Sequence, residues 1–205
     1  EGRRVINNIE RSAALFLVKN IFSFFLAWIT ILAAFAYPIV PAQLTLINVT
    51  TIGIPSFILA LEPNTSLIRG KFLRNVMYRA FPAALTDLTV ILGVVCFASA
   101  FQIPYEQSST VAAILIGIVG MIMLIRVSSP LNVVRSILVG AMAVIFLLGV
   151  LLLPELLSMV PLSYGSWLVL AVFAMLAFPL MRAYTKIFEW ASRLFGTLHS
   201  KIQDY

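Results

Sequence analysis

Charged residues are scarce in this 205-residue chain. Lysine, arginine, aspartate and glutamate together make up 11% of the sequence, whereas hydrophobic residues make up 61%. A soluble globular domain typically carries about 25% charged residues, so the composition excludes a soluble fold and indicates an integral membrane protein. No hydrophilic stretch of the sequence is long enough to form a separate soluble domain.

Cysteine and histidine are almost missing, with one residue of each type. Because Cys96 stands alone, disulfide bonds and cysteine-based metal sites within one chain are excluded. His199 lies in a polar C-terminal region, where we expect a solvated side chain rather than a metal ligand or a proton relay. The net charge of +6 does not indicate a nucleic-acid partner, because the basic residues lie beside apolar segments, where they orient a membrane protein.

Six apolar segments reach or approach the length of a transmembrane helix, which needs about 20 residues to cross roughly 30 Å of hydrocarbon. The sequence therefore predicts an all-α integral membrane protein with six transmembrane helices. Prolines between the segments support these divisions. The predicted spans are Ala13–Ala36, Gln43–Leu61, Pro82–Phe101, Ser109–Ile125, Val133–Leu153 and Gly165–Met181.

The basic residues predict the orientation of the spans. If six spans alternate in direction, every lysine and arginine except Lys19 falls on one side of the membrane, whereas the loops on the other side contain Glu106 and Glu155 but no basic residue. Because cytoplasmic loops are enriched in lysine and arginine, both termini are predicted to be cytoplasmic. The residues on the basic side are Arg3, Arg4, Arg11, Arg69, Lys71, Arg74, Arg79, Arg126, Arg135, Arg182, Lys186, Arg193 and Lys201.

Polar segments flank the spans at both ends of the chain. We expect residues 1–12 to form a cytoplasmic stalk that continues into the first span, and residues 13–181 to form the six-span transmembrane domain. In residues 182–205, apolar residues recur at helical spacing between basic ones, which predicts an amphipathic helix at the cytoplasmic surface of the membrane. The apolar positions are Ile187, Ala191, Leu194, Leu198 and Ile202.

Two ionisable residues lie inside the predicted spans, where such groups are costly and often functional. Lys19 lies in the first span, next to Asn20. Its side chain either reaches back to the cytoplasmic surface or has a functional position within the span. Asp87 lies near the cytoplasmic end of the third span, and pairing with a basic residue of the preceding loop, such as Arg79, is the preferred explanation.

The centre of the second span combines polar residues with two residues that disfavour a regular helix. Asn48 and Thr51 precede Gly53 and Pro55. Proline removes one backbone donor, and glycine lowers the cost of unusual dihedral angles. Carbonyl groups freed by a break at this point would be available to an ion or to water. A simple kink of a membrane helix is the alternative.

Two stretches of the sequence resemble the P-type cation-transporting ATPases. Residues 1–9, EGRRVINNI, resemble the start of the fifth membrane helix of that family, where a GR-x-hydrophobic-x-NN stretch forms the stalk below the phosphorylation domain. Residues 41–55 are similar to the sixth helix, whose pattern is close to Q-L-x-x-x-N-x-x-T-D-G-x-P. The resemblance implies the C-terminal membrane half of such an ATPase, with its fifth to tenth membrane helices, in a bacterial plasma membrane.

The resemblance also implies a cation site between the first two spans. It places Asn20 at an ion-coordinating asparagine of the family and Ser23 at the position of a glutamate in calcium pumps. Ile52 stands where calcium pumps carry an acidic ligand, and an aliphatic side chain cannot coordinate a hard divalent cation, so the transported metal stays unassigned. The candidate transport residues are Lys19, Asn20, Ser23, Asn48 and Thr51. Lys19 would act as a built-in positive charge, and Gly53 and Pro55 would form the helix break.

The catalytic motifs of the family, DKTGT, TGE and GDGxND, do not occur in the sequence. We therefore expect no catalytic residue and no cofactor in this chain, which we interpret as a fragment, with ATP and magnesium bound elsewhere in a longer parent protein. The parent would couple ATP hydrolysis to cation transport by alternating access. Its implied partners are the lipid bilayer, the transported cation, the N-terminal membrane helices and the cytoplasmic actuator, phosphorylation and nucleotide domains.

The alternative function is a free-standing membrane scaffold or assembly subunit without transport activity, which would also account for mainly apolar spans with few acidic residues. A scaffold predicts a native polypeptide of about this length, whereas an ATPase predicts a much longer one. A small secondary transporter is a third hypothesis, but such proteins often contain a repeated half, and the sequence contains no internal repeat.

Overall fold

The structure, a computed structural model, describes residues 2–62 and 72–203, and the side chains of residues 8–62 and 72–192. These residues form six long helices and, within the described ranges, no strand. The predicted all-α fold is confirmed. The helices are α1 (Gly2–Ala33), α2 (Pro41–Leu61), α3 (Phe72–Ala100), α4 (Tyr105–Ser128), α5 (Val133–Leu152) and α6 (Tyr164–Gln203).

Each of the six helices is long and apolar enough to cross a membrane, as predicted. α3 and α4 begin earlier than the predicted spans, at Phe72 and Tyr105, because their polar first turns are helical as well. Pro82, the predicted start of the third span, lies inside α3. It has no N–H to bond to the preceding turn, but its carbonyl accepts a hydrogen bond of 2.7 Å from Thr86 Oγ1. The helix continues through this proline to Ala100.

α3 and α4 form the centre of the bundle. More than half of the most apolar part of each is buried, 56% and 61%, against 28% in α1 and α5. α3 packs against α1, α4 and α6. Its fully buried residues Ala80, Ala83 and Ala84 allow close approach of neighbouring helices, which is how helices associate in membranes. The outer helices expose large apolar side chains, among them Phe24 and Leu152.

Two glycines allow aromatic rings to pack against helix backbones. A Cβ atom at Gly117 of α4 would lie 2.0 Å from the ring of Phe146 in α5, and one at Gly93 of α3 would lie 2.3 Å from the ring of Phe173 in α6. At these distances a methyl group fits only if the ring moves. Gly140, exposed on α5, has no such neighbour within 4 Å. Gly117 and Gly93 are therefore contact points between helices.

Replacing Gly117 by alanine is expected to destabilise the bundle by about 1–3 kcal/mol, the usual cost of overpacking a core. The added methyl group would displace the ring of Phe146 from α4. Gly140→Ala is the matched control, since alanine on an exposed helix face favours the helix. The stability of each variant is measured as the midpoint of thermal unfolding of the purified native protein in detergent. Equal midpoints for the two variants would contradict this packing.

A network of charged side chains joins the ends of α1, α2 and α5. The carboxylate of Glu62 accepts a hydrogen bond of 2.7 Å from Arg135 Nε and lies 3.7 Å from Arg11 Nη1. Asn132 Nδ2 donates to the same carboxylate at 2.5 Å. Burial opposes ionisation of Glu62, but the hydrogen bonds from Arg135 and Asn132 and the nearby arginine charges outweigh it and hold the pKa of this carboxyl below its ordinary value of 4.5.

Gln43 fixes the opposite end of α2. Its side chain is fully buried. The Oε1 atom accepts hydrogen bonds from Ser109 Oγ of α4 at 2.8 Å and from the N–H of Val40 at 3.1 Å. The Nε2 atom donates to the carbonyl of Ser158, in the loop before α6, at 3.2 Å. Polar contacts therefore hold both ends of α2 to its neighbours.

The predicted divisions at the two ends of the chain and the orientation of the termini remain predictions. α1 runs without interruption from Gly2 through the predicted stalk into the first span, and α6 continues past Met181 to Gln203. Several residues named in these predictions lie outside the described residues or side chains: Glu1, Arg3, Arg4, Arg69, Lys71, Arg193, Leu194, Leu198, His199, Lys201 and Ile202.

Candidate functional site

The middle of α2 is a π-helical turn, Asn48–Gly53, with α-helix on either side. At its end the N–H of Ile54 donates to the carbonyl of Val49, five residues back. Pro55 follows, and because it has no N–H it cannot restore the bond pattern of a regular helix. Such turns often occur at functional sites. This one lies where the sequence places a break at Gly53 and Pro55.

A small cavity lies beside this turn and is lined by residues of α1, α2, α3 and α4. Its volume is about 40 Å³, which gives room for a single ion or for about two water molecules. Four polar side chains line it: Lys19 from α1, Asn48 and Thr51 from α2, and Asp87 from α3. The rest of the wall is apolar and consists of Leu15, Val18, Phe22, Leu44, Ile47, Ile52, Ile116, Gly120 and Met123.

An open groove adjoins the cavity on α1 and α2. It has a volume of about 270 Å³ and is lined by Phe16, Lys19, Asn48, Val49, Ile52 and Gly53. Lys19 and Asn48 belong to the walls of both the groove and the cavity. These two polar side chains, together with Ile52, therefore lie between the cavity and the open groove.

Thr51 is held in place by its own helix and by α4. Its Oγ1 atom donates to the carbonyl of Ile47 at 2.7 Å, which leaves the lone pairs of the hydroxyl free to accept. A Cβ atom at Gly120 would lie 2.7 Å from Thr51 Cγ2, so only glycine at this position lets α4 approach the π turn so closely. The contact fixes the hydroxyl of Thr51 at the cavity wall.

Asp87 is a cavity residue that sequence reasoning did not include in the site. Its side chain is 3% exposed, and Oδ1 is buried without a hydrogen-bond partner among the described residues. The expected pairing with Arg79 was wrong, because Arg79 Nη2 lies 3.6 Å from the carboxylate of Glu10 in α1. Arg79 lies about two helical turns before Asp87 on the same helix. A carboxyl group inside an apolar span was the signal that could have identified Asp87.

The structure brings together three of the five predicted transport residues and leaves two outside the cavity. Lys19, Asn48 and Thr51 line it, whereas Asn20 is exposed and Ser23 is partly buried elsewhere on α1. Consecutive residues of an α-helix point about 100° apart, and Asn20 falls on the exposed face of α1. In the described structure the site therefore joins α1, α2 and α3 rather than α1 and α2 alone.

The oxygen donors of the cavity are few. Among the described side chains they comprise the carboxylate of Asp87, the amide oxygen of Asn48 and the hydroxyl of Thr51, with the ammonium group of Lys19 as the other charge. Among the described residues no group of three or more His, Cys, Asp and Glu side chains could hold a metal ion. A cation bound here would depend on a single carboxylate and on neutral oxygens.

Comparisons with known proteins find similar sequences among bacterial transport ATPases. The chain is 32% identical to a protein of Streptococcus pneumoniae named probable cation-transporting ATPase exp7. The alignment extends over 201 residues and covers 94% of this chain and 25% of that protein. The chain is 36% identical over 128 residues to the calcium-transporting ATPase CtpE of Mycolicibacterium smegmatis (57% of this chain, 16% of that protein). For CtpE of Mycobacterium tuberculosis the identity is 38% over 133 residues (56% and 16%). No family model and no solved structure matches the chain.

The chain spans a quarter or less of the length of these relatives. Its similarity to the pneumococcal protein nevertheless extends over 94% of its own residues. Six helices of membrane-crossing length agree with a membrane region of such transporters. The chain belongs to the bacterial P-type cation-transporting ATPases and corresponds to a part of their membrane-spanning region.

Proposed function

We propose that this chain is the cation-translocating part of an ATP-driven pump that works by alternating access. The cavity beside the π turn, with polar side chains from three helices in an otherwise apolar bundle, is the observation that carries the proposal. Polar groups at membrane depth are costly and commonly mark an ion pathway. The names of the relatives, cation-transporting and calcium-transporting ATPases, support the same function.

The energy would come from ATP, bound with magnesium in the actuator, phosphorylation and nucleotide domains of the native protein. α1 would carry the resulting movement into the membrane, because it is a single helix from Gly2 to Ala33 and its residue Lys19 lies on the cavity wall. The π turn would absorb the movement, since a return to α-helical geometry changes the positions of Asn48 and Thr51. The cavity would then open to alternate sides.

The exposed face of α1 would contact the N-terminal membrane helices of the native protein. Asn20 lies on this face, and Phe16 and Phe24, one turn away on either side, are exposed as well. An amide group that faces lipid is unfavourable, so a covering helix would stabilise Asn20 and bring it to the cation path. We place both termini in the cytoplasm of a bacterial cell, following the distribution of the basic residues.

Ca²⁺ is the first cation to test, because two of the relatives described above are named calcium-transporting ATPases. Ca²⁺ takes six to eight oxygen ligands at about 2.3–2.6 Å. The cavity supplies fewer, so water or the N-terminal helices would supply the others. Ile52 on the cavity wall adds no oxygen, so the ligand set would differ from that of pumps with an acidic residue at this position.

Asn48→Ala in the purified native protein tests the proposal. Loss of the amide oxygen is expected to raise the Ca²⁺ concentration for half-maximal phosphorylation by ATP about tenfold, which corresponds to about 1.4 kcal/mol. Asn20→Ala is expected to act in the same direction. Thr45→Ala is the matched control, because Thr45 is exposed on the same helix and does not line the cavity.

Unchanged Ca²⁺ dependence in both asparagine variants, with expression intact, would remove these residues from the site. A native protein that forms no phosphoenzyme and moves no cation would contradict the pump itself, and the scaffold function would then take its place.

A further inference from the structure

Among the described residues, Asp87 is the one carboxyl group on the cavity wall. Its surroundings offer little compensation for burying a charge. The side chain is 3% exposed, with Oδ1 unpaired among the described residues. A buried carboxylate is strongly unfavourable unless hydrogen bonds or an opposite charge compensate it.

The arginines near this part of the bundle are engaged elsewhere. Arg79 pairs with Glu10, Arg11 with Glu62, and Arg126 Nη1 donates to Thr185 Oγ1 at 2.9 Å. None of the ion pairs between described residues includes Asp87. The remaining charged group on the cavity wall is the ammonium group of Lys19. Asp87 therefore shares the wall of an ion-sized space with a single flexible cationic side chain, that of Lys19.

We propose that the carboxylate of Asp87 is the anionic ligand of the transported cation, with the amide oxygen of Asn48 and the hydroxyl of Thr51 as neutral ligands. This proposal rests on the proposed pump function. It adds a third helix, α3, to a site that the sequence places on α1 and α2 alone. Because the volume is about 40 Å³, the cation would enter with at most one of its water molecules.

Lys19 would balance the charge of Asp87 when no cation is bound. Asp87 and Lys19 together are neutral, so a cation in the cavity would leave an excess of positive charge unless Lys19 withdrew. The lysine side chain is long and flexible, and it also lines the open groove, which provides a place to withdraw to. Binding of the cation and departure of the ammonium group would thus be coupled.

Asp87→Asn in the native protein tests the proposal, because it removes the charge and keeps the volume of the side chain. The Ca²⁺ concentration for half-maximal phosphorylation is expected to rise at least about tenfold, and more than in Asn48→Ala. Asp87→Glu, which keeps the charge, is expected to show a smaller shift. Glu106→Gln is the matched control, since Glu106 is exposed at the start of α4.

A second measurement needs no variant. An apolar carbodiimide that modifies buried carboxyl groups is expected to label Asp87 in the native protein, as mapped by peptide mass spectrometry, and Ca²⁺ is expected to protect it. Equal labelling with and without Ca²⁺, or wild-type Ca²⁺ dependence in Asp87→Asn, would overturn the role of Asp87. If Asn48→Ala were impaired and Asp87→Asn were not, the pump would stand without this ligand. A wild-type protein unresponsive to Ca²⁺, Mn²⁺, Na⁺ and K⁺ would overturn both.

Discussion

Replacing Glu62 by alanine is expected to lower the stability of the membrane bundle by about 3 kcal/mol, the usual cost of removing one partner of a buried ion pair. Two arginines would lose their counter-charge, because the carboxylate of Glu62 binds Arg135 at 2.7 Å and lies 3.7 Å from Arg11. All three side chains are 10% exposed or less, so water could replace the lost contacts only poorly. The contacts hold α1, α2 and α5 together at one end.

The midpoint of thermal unfolding of the purified native protein in detergent measures this effect. Glu155→Ala is the matched control, because Glu155 is exposed in the loop before α6 and takes part in no ion pair between described residues. Glu62→Gln should lose less than Glu62→Ala, since its amide oxygen can still accept from Arg135. A Glu62→Ala midpoint equal to that of Glu155→Ala would exclude a stabilising role for the network.

The same network predicts how stability depends on pH. The pKa of Glu62 in the folded protein lies below its ordinary value of 4.5, so its contribution is fully present above about pH 4.5 and is lost as the pH falls through the lower folded value. Between pH 6 and 8 no loss from this group is expected. Unfolding midpoints of wild type and Glu62→Gln should therefore differ at neutral pH and converge in acid, and a constant difference would contradict the assignment.

Replacing Lys19 by methionine is expected to strengthen cation binding about tenfold, the opposite of the effect of Asp87→Asn. Methionine keeps much of the apolar stem and removes the ammonium group that competes with the cation for the carboxylate. Both side chains line the same cavity of about 40 Å³, and opposite charges attract each other more strongly in a partly buried site than in water. The Ca²⁺ dependence of phosphorylation in the native protein is the measurement, with Lys186→Met, exposed on α6, as the control.

The double variant Lys19→Met with Asp87→Asn tests whether the effect of Lys19→Met arises from competition between Lys19 and the cation for the carboxylate of Asp87. If Lys19 acts by occupying the carboxylate, its removal gains nothing once the carboxylate is gone, so the two effects should not add. Weaker Ca²⁺ binding in Lys19→Met alone would contradict competition and would make Lys19 a residue that the site needs for its shape.

The number and order of the helices could be predicted from the sequence, because apolar runs of sufficient length and the prolines between them fix both. The starts of α3 and α4 could not, since the polar turns from Phe72 and Tyr105 differ in composition from the apolar runs that they extend. Nor could hydropathy reveal the packing of Gly117 against Phe146, because that contact depends on the register between two helices.

The candidate site was predictable only in part. The polar residues beside Gly53 and Pro55 directed attention to α2, and Asn48 and Thr51 do line the cavity. Asn20 does not line it, because this residue falls on the exposed face of α1. Asp87 was assigned a neighbour along the chain, Arg79, whereas the tertiary structure pairs Arg79 with α1 and turns Asp87 to the cavity.

The most direct test of the proposed cation site is a structure of the native protein with Ca²⁺ bound, in which long-wavelength anomalous diffraction locates the ion. We expect one anomalous peak between α1, α2 and α3, within about 2.3–2.6 Å of oxygen atoms that include those of Asp87 and Asn48, with the ammonium group of Lys19 in the groove. A peak elsewhere in the membrane, with Lys19 still in the cavity beside Asp87, would contradict the proposed site.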